Sequence, residues 1–368
     1  MGPRTHPRIF GLDLVRALAA LLVVYSHADD LLDAYWPRNP GAAAMDGVDL
    51  FFVLSGFLIG NILIRLTLAR DIPWWRRLID FWQRRWLRTL PNYYLFLLIN
   101  IGMVYMGWSM GLLNVNTLAY FAFLQNFIIP LDLFFWESWS LAVEEWFYLL
   151  FPLLLVALAW WRSPKWGFLA ATLIMIATSI ALRYPAMDAV GTPFTLDLLV
   201  RKIVVYRFDT IGYGVLVAWL VYHVPAIFSA RRVELFLLGL LLLATAILLR
   251  SGDNLFYMGT LFLVLSGSGM ALTLPFMAGW QKAGRWSVVV TFLSRISYAL
   301  YLVHIPVRSL FLVIMPGHSL GASLVLYVGY WLLCIALAAV IHHFWERPFM
   351  GLRDGLSARI LGPVSRAS

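Results

Sequence analysis

The 368-residue chain is poor in charge: 13% of its residues are Asp, Glu, Lys or Arg, while 62% are hydrophobic. Soluble domains carry about a quarter charged residues, so the shortfall is roughly twofold. That composition excludes an ordinary water-soluble globule. Cysteine is nearly absent. The one Cys334 sits in an apolar run, which excludes a disulfide or a Cys-based metal site within one chain. Acidic residues are scarcer than basic ones, 19 against 28, for a formal net charge of +9. No zinc-type spacing, P-loop or glycine-rich phosphate loop stands in a suitable setting, so neither a metal nor a bound cofactor is expected. The period-two alternation of an outer-membrane barrel is missing, as is the internal repeat of many transporters.

What the chain does have is apolar runs of the ~20 residues needed to cross a bilayer, and a mean hydropathy of +0.80. The expected fold is all-α: a polytopic integral-membrane helical bundle of about ten transmembrane helices, eleven if residues 117–130 cross. The basic excess is mostly arginine, gathered in short loops. In a soluble protein it would suggest nucleic acid. Here it is a topology signal, because cytoplasmic loops collect Lys and Arg, and no nucleic-acid partner is expected. On this rule both termini are cytoplasmic. Asp13 and Arg16 interrupt the first apolar run, which argues against a cleavable leader. Residues 1–350 read as one transmembrane domain and 351–368 as a short cytoplasmic tail.

The densest chemistry begins in GLDLVRALAALLVVYSH, Gly11–His27, a membrane helix that carries Asp13, Arg16 and His27. Arg16 and His27 are eleven positions apart, close to three turns, so they share a face about 16 Å apart along the axis. Ionisable residues inside a span usually face the bundle interior and mark a functional path. The blander alternative is an Arg16 that snorkels to one interface and a His27 at the other.

The loop from Ala28 to Asp46 holds Asp29, Asp30, Asp33 and Asp46 against Arg38, and reads as external. The second span, Gly47–Leu66, carries Asp49 near that outer end. Its Ser55, Gly56 and Gly60 suit close helix approach. Arg65, Arg70, Arg76, Arg77, Arg84, Arg85 and Arg88 follow, opposed by Asp71 and Asp80, which makes this segment cytoplasmic. The interleaved Trp74, Trp75, Trp82 and Trp86 suggest an amphipathic interfacial helix. Arg85 and Arg88, spaced i, i+3, share a face, and arginine grips phosphate oxygens with a planar fork. An anchor for anionic lipid would use the same residues.

A third span begins at Thr89-Leu90-Pro91. ESWSLAVEEWFYLLFP, Glu137–Pro152, then opens an apolar helix with Glu144 and Glu145. Adjacent acids point about 100° apart on a helix, so one should face a cavity and the other a structural partner such as an arginine. The basic turn Trp161–Lys165 is cytoplasmic, and that parity favours ten spans. The remaining spans are expected near 166–182, 203–222, 233–250, 255–277, 291–315 and 319–344, with Arg231/Arg232 and Lys282/Arg285 in cytoplasmic turns. Arg207 and Asp209 open one of these spans and should pair with each other or with another helix. His304 lies in a late apolar helix beside Pro306; such a histidine is structural or functional.

Together these residues suggest a polar passage from a cytoplasmic anion site to a general base. Histidine can take a proton from a hydroxyl at neutral pH. A serine nucleophile, Ser26 or Ser55, is also open. A transporter or flippase for an anionic or lipid-linked substrate fits such a passage as well; a passive scaffold does not explain the intramembrane charges.

The chain resembles the membrane acyltransferase-3 family. GLDLVRALAALLVVYSH resembles the family's Arg-x10-His signature, met by Arg16 and His27, and GVDLFFVLSGFLI resembles its next block. RRWLRTLP resembles the Arg-x-x-Arg block, met by Arg85 and Arg88. FLQNF with SWSLAVEEWFYLLFP, then YRFD, ISYALYLVHIPV and WERPF, follow in family order. The resemblance implies transfer of an acyl group, most often acetyl, from cytoplasmic acyl-CoA to a hydroxyl on a surface polysaccharide, peptidoglycan, a lipid-linked sugar or a similar acceptor. It implies a multi-pass protein of the bacterial inner membrane in its bare transmembrane form. His27 would be the catalytic base, with Glu145 and the neighbouring Glu144 as acids. Arg16, Arg85 and Arg88 would hold the CoA, and Asp13, Asp49, Arg207 and His304 would be supporting polar groups. Direct transfer and an acyl-enzyme route both remain open.

Overall fold

The computed structural model describes residues 8–28, 31, 47–68, 72–159, 163–250, 254–281, 284–314 and 319–361. The expected outer-loop residues Asp29, Asp30, Asp33, Arg38 and Asp46 lie outside that set, as do Arg70, Asp71, Trp161, Arg162 and Lys282. Every regular element among the described residues is helical. The first are α1 (Phe10–His27), α2 (Gly47–Leu68), α3 (Trp74–Tyr105), α4 (Ser138–Ala159) and α5 (Pro164–Ala186). The short α6 (Pro193–Leu196) precedes α7 (Phe208–His223), and the short α8 (Pro225–Ala230) precedes α9 (Arg232–Leu248). Then come α10 (Leu255–Gly259), α11 (Leu261–Gly279), α12 (Ser287–Ile314), α13 (Leu320–Ile341) and α14 (Arg347–Leu361).

Seven stretches among the described residues are long and apolar enough to cross a membrane: 10–27, 47–68, 138–158, 164–189, 261–279, 287–313 and 320–361. The chain is a multi-pass membrane protein. Residues 117–130 form no spanning helix. Val115–Ala122 is a 3₁₀ turn opened by an Asn114/Thr117 capping box, and Phe123 at φ 58° ends it. Three other boundaries differ from expectation. The basic segment and the third span are one continuous helix, α3, which passes through Pro91. The expected span at 203–222 begins at Phe208, because 193–206 winds through a helical turn, a π-helical turn (Asp197–Arg201) and a 3₁₀ turn. The expected span at 255–277 is broken at Thr260, between α10 and α11.

In a bilayer, lipid tails are as apolar as leucine, so helices associate through close packing and polar contacts. The α2–α7 contact shows why small residues recur. A Cβ on Gly56 would overlap the Ile211 carbonyl, one on Gly214 would overlap the Val53 carbonyl, and Gly60 lies against Ala218. Two buried ion pairs lock the same region: Arg207 with Asp49 of α2, and Arg183 of α5 with Asp209 of α7. Arg207 and Asp209 therefore each pair with another helix, not with each other.

α1 and α12 pack side by side. Their contacts match at both ends: Asp13 and Arg16 meet Ser294, and His27 meets His304. Eleven residues on one helix and ten on the other separate these levels, so the helices run parallel, and the two levels are about 15 Å apart. Residues 351–361 of the expected tail lie in α14, which docks on α3 through Arg84 to Ser357 (3.1 Å) and Gln83 to the Arg353 carbonyl (3.2 Å).

Candidate active site

A partly open cavity, about 800 Å³ including its solvent-open mouth, runs among α1, α2, α3, α4 and α12. Each helix contributes polar groups: Arg16 from α1, Ser55 from α2, Arg85, Arg88 and Thr89 from α3, Ser140, Glu144 and Tyr148 from α4, and Tyr298 and Tyr301 from α12. Phe51, Phe52, Leu54 and Leu58 supply an apolar wall. The i, i+3 spacing of Arg85 and Arg88 places both on the cavity face of α3. Arg85 is held over the rings of Phe81 and Tyr148, 5.9 Å from each.

Arg16 enters the cavity from Asp13, whose carboxylate is the hub of a small network. Asp13 accepts from Arg8 at 2.8 and 2.9 Å, from Ser294 at 2.8 Å and from Arg16 at 3.4 Å. Asp13 therefore steadies two arginines rather than facing a substrate. Charged donors in this setting are suited to an anion with several oxygens.

The two glutamates separate as helix geometry requires. Glu144 lies on the cavity wall with Arg85 and Arg88. Glu145 points instead into the α3 interface, is buried, and accepts from Thr89 Oγ1 at 2.5 Å. Its partner is a hydroxyl, not an arginine. Asp49 and Arg207 lie in their own buried pair and do not line the cavity.

His27 is not on the cavity wall either. Ser140 and Tyr301 line the cavity on that side, and their hydroxyls are 2.6 Å apart; Tyr301 also donates to the Glu137 carbonyl at 2.8 Å. Beyond them the Tyr301 ring lies tilted against His304 (ring centroids 5.7 Å), and His304 meets His27 edge-on at 5.0 Å. His27 Nδ1 lies 2.9 Å from the Val23 carbonyl. A carbonyl only accepts, so a proton on Nδ1 suits this contact, and Ser26 Oγ lies 3.4 Å from the same nitrogen. His304 is fully buried, and its Nδ1 is tied to the Tyr301 carbonyl in the same way.

At the His27 end of the bundle, the π-helical turn brings Asp197 to Lys202, whose ammonium sits 3.5 Å from the centre of the Trp136 ring. Burial pushes the Asp197 carboxyl up, but Lys202 and Arg201, with His27 adding to them, hold it below the usual carboxylate range. Sequence reasoning missed Ser140, Tyr301, Ser294 and the Asp197–Lys202 cluster. The i, i+7 spacing of Ser294 and Tyr301 was the one available signal, since it puts both on the same helix face.

Residues 9–343 match the Acyl_transf_3 family model, described as an acyltransferase domain. The chain belongs to this acyltransferase family. It is 32% identical over 168 residues to the peptidoglycan O-acetyltransferase OatA of Listeria monocytogenes, a match over 42% of this chain and 25% of that protein. A provisionally named O-acetyltransferase of Staphylococcus aureus is 26% identical over 387 aligned positions, or 95% of this chain and 58% of the relative. A provisionally named peptidoglycan O-acetyltransferase of Bacillus subtilis, YrhL, is 31% identical over 202 residues, or 51% and 30%. The chain thus spans no more than 58% of these relatives' length. No solved structure matches it.

Proposed function

We propose that the protein is an integral-membrane O-acyltransferase of the bacterial plasma membrane. It moves an acetyl or similar acyl group from cytoplasmic acyl-CoA to a hydroxyl of a cell-envelope glycan or lipid-linked sugar. The observation that carries this reading is the line from arginine-rich cavity to imidazole: Arg16, Arg85 and Arg88 around one cavity, Ser140 and Tyr301 on its wall, then His304 and His27. The arginines would bind the diphosphate of CoA, and the apolar wall would take its pantetheine arm. The acceptor's oxygen would attack the thioester carbonyl as His27 Nε2 takes its proton. The C–S bond breaks, and CoA leaves as a thiolate that is then protonated. Glu144, beside the arginines, would tune their charge; Glu145 would hold α4 against α3. The relatives named for O-acetylation of peptidoglycan support a peptidoglycan-like acceptor.

The test is transfer of label from radioactive acetyl-CoA to an envelope-glycan extract by purified protein in lipid vesicles, with His27→Ala as the comparison. Labelled glycan with wild type and none with a well-folded His27→Ala is expected. Full transfer by that variant would remove His27 from the role of base. Acetyl-CoA left intact while the extract's anionic or lipid-linked component crosses the vesicle membrane would favour a transporter.

A further inference from the structure

A second opening, of about 1,610 Å³, adjoins the cavity and shares Arg16 and Arg88 with it. It is bounded by the start of α1, by α12, by the π-helical turn His342–Glu346 and by α14. Its wall adds Arg8, Arg295, His343 and Arg347. The two carboxylates at hand are already engaged: Asp13 with Arg8 and Arg16, and Glu346 with His342 at 2.9 Å. Arg347 Nη1 lies 3.3 Å from Nδ1 of His343. Among the described residues, Arg295 and Arg347 have no carboxylate partner, while Arg88 shares the inner cavity with Glu144. Two uncompensated guanidinium groups thus face one concave vestibule. Arg295 and Arg347 are at its exposed rim, and Arg88 is at the passage inward.

We propose that this vestibule binds the nucleotide end of the donor, with Arg295 and Arg347 gripping the 3′-phosphate of CoA while Arg16 and Arg88 take the diphosphate. The inference rests on the acyl-CoA reading above. In CoA the 3′-phosphate is on the ribose, at the end of the molecule away from the thioester. A donor threaded toward Tyr301 must leave that group outermost, where the unpaired rim arginines are. A phosphomonoester carries nearly two negative charges at neutral pH and three acceptor oxygens, which suits two forked cations. Anionic lipid headgroups share this chemistry, but a deep vestibule joined to the inner cavity favours a ligand with an arm to insert.

The experiment measures CoA and dephospho-CoA binding by calorimetry, with protein in zwitterionic nanodiscs. Arg295→Gln and Arg347→Gln are changes at exposed positions that leave the packing intact. Each should weaken CoA about tenfold and shift dephospho-CoA by less than about twofold. Equal weakening of both ligands, or unchanged CoA affinity, overturns the assignment. If CoA affinity is unchanged while the variants lose binding to phosphatidylglycerol, the rim arginines hold lipid instead. A wild type that binds neither nucleotide refutes the donor reading itself; binding that the variants leave untouched refutes only this site.

Discussion

The Asp49–Arg207 pair offers a sharp test of how the bundle is held. Arg207 is 0% exposed and Asp49 2%. Asp49→Asn would leave a buried guanidinium with no counter-charge, and its Nε and Nη1 already have no hydrogen-bond partner. Breaking one side of a buried pair costs about 3–5 kcal/mol. The remaining contacts recover little of this. Thr210 Oγ1 is a neutral acceptor at 3.4 Å, and the rings of Phe52 and Trp139 lie 5.9 and 6.0 Å away. Such ring contacts contribute about 0.5–2 kcal/mol and are present in both proteins, so the expected loss stays near 3 kcal/mol. Replacing both residues, Asp49→Leu with Arg207→Met, removes the stranded charge and should return stability to within about 1 kcal/mol of wild type. The assay is equilibrium unfolding in mixed micelles, followed by tryptophan fluorescence. A single-variant loss under about 1 kcal/mol, or a double variant no more stable than the single, would refute the reasoning.

Three further outcomes are expected. Gly56→Ala should force α2 from α7 and lower the unfolding midpoint sharply, whereas Gly102→Ala, with open space around its Cβ, should be neutral or stabilising by up to about 1 kcal/mol. Thr89→Val should cost about 1–3 kcal/mol by stranding the buried Glu145 carboxyl, while Glu144→Gln on the cavity wall should reduce acyl transfer and leave thermal unfolding unchanged; the reverse pattern would exchange the two assignments. Asp197→Asn should destabilise by about 1–2 kcal/mol, since the buried Lys202 loses its partner but Asp197 is itself a third exposed. The Asp197 carboxyl is held below its ordinary value in the folded protein. Its contribution is therefore present above the ordinary carboxylate range and lost as pH falls through the folded value. The gap between wild type and Asp197→Asn should close in strong acid, and a gap that widened there would contradict the assignment.

Much of the site was legible in one dimension because membrane helices obey a simple rule: charge is tolerated only where it is useful or paired. Arg16 and Glu144 stood out in apolar surroundings, and Arg85 and Arg88 by an i, i+3 spacing that put them on one face. The same rule required partners for Arg207, Asp209 and Asp49 without saying which. Pairing across 158 positions, from Asp49 to Arg207, depends on how α2 meets the segment before α7, and no local pattern encodes that. Ser140 and Tyr301 were hidden for the opposite reason. Hydroxyls are ordinary in membrane helices and cost little to bury once hydrogen-bonded.

The sequence by itself determined the class of fold, through apolar runs of bilayer length, and seven of the ten expected spans coincide with helices among the described residues that are long and apolar enough to cross. It also determined that Arg16 and His27 share one helix at a separation set by 1.5 Å per residue. Only the tertiary structure decided that a parallel α12 lies against that helix, so that His304 meets His27 and Ser294 meets Asp13. It also decided that Glu144, not Glu145, faces the cavity, and that His27 lies beyond Tyr301 and His304 rather than in the cavity wall. The physical reason is that periodicity specifies the angle of a side chain about its own helix. Which neighbour fills that angle is set by the packing of small residues and buried ion pairs contributed from distant parts of the chain.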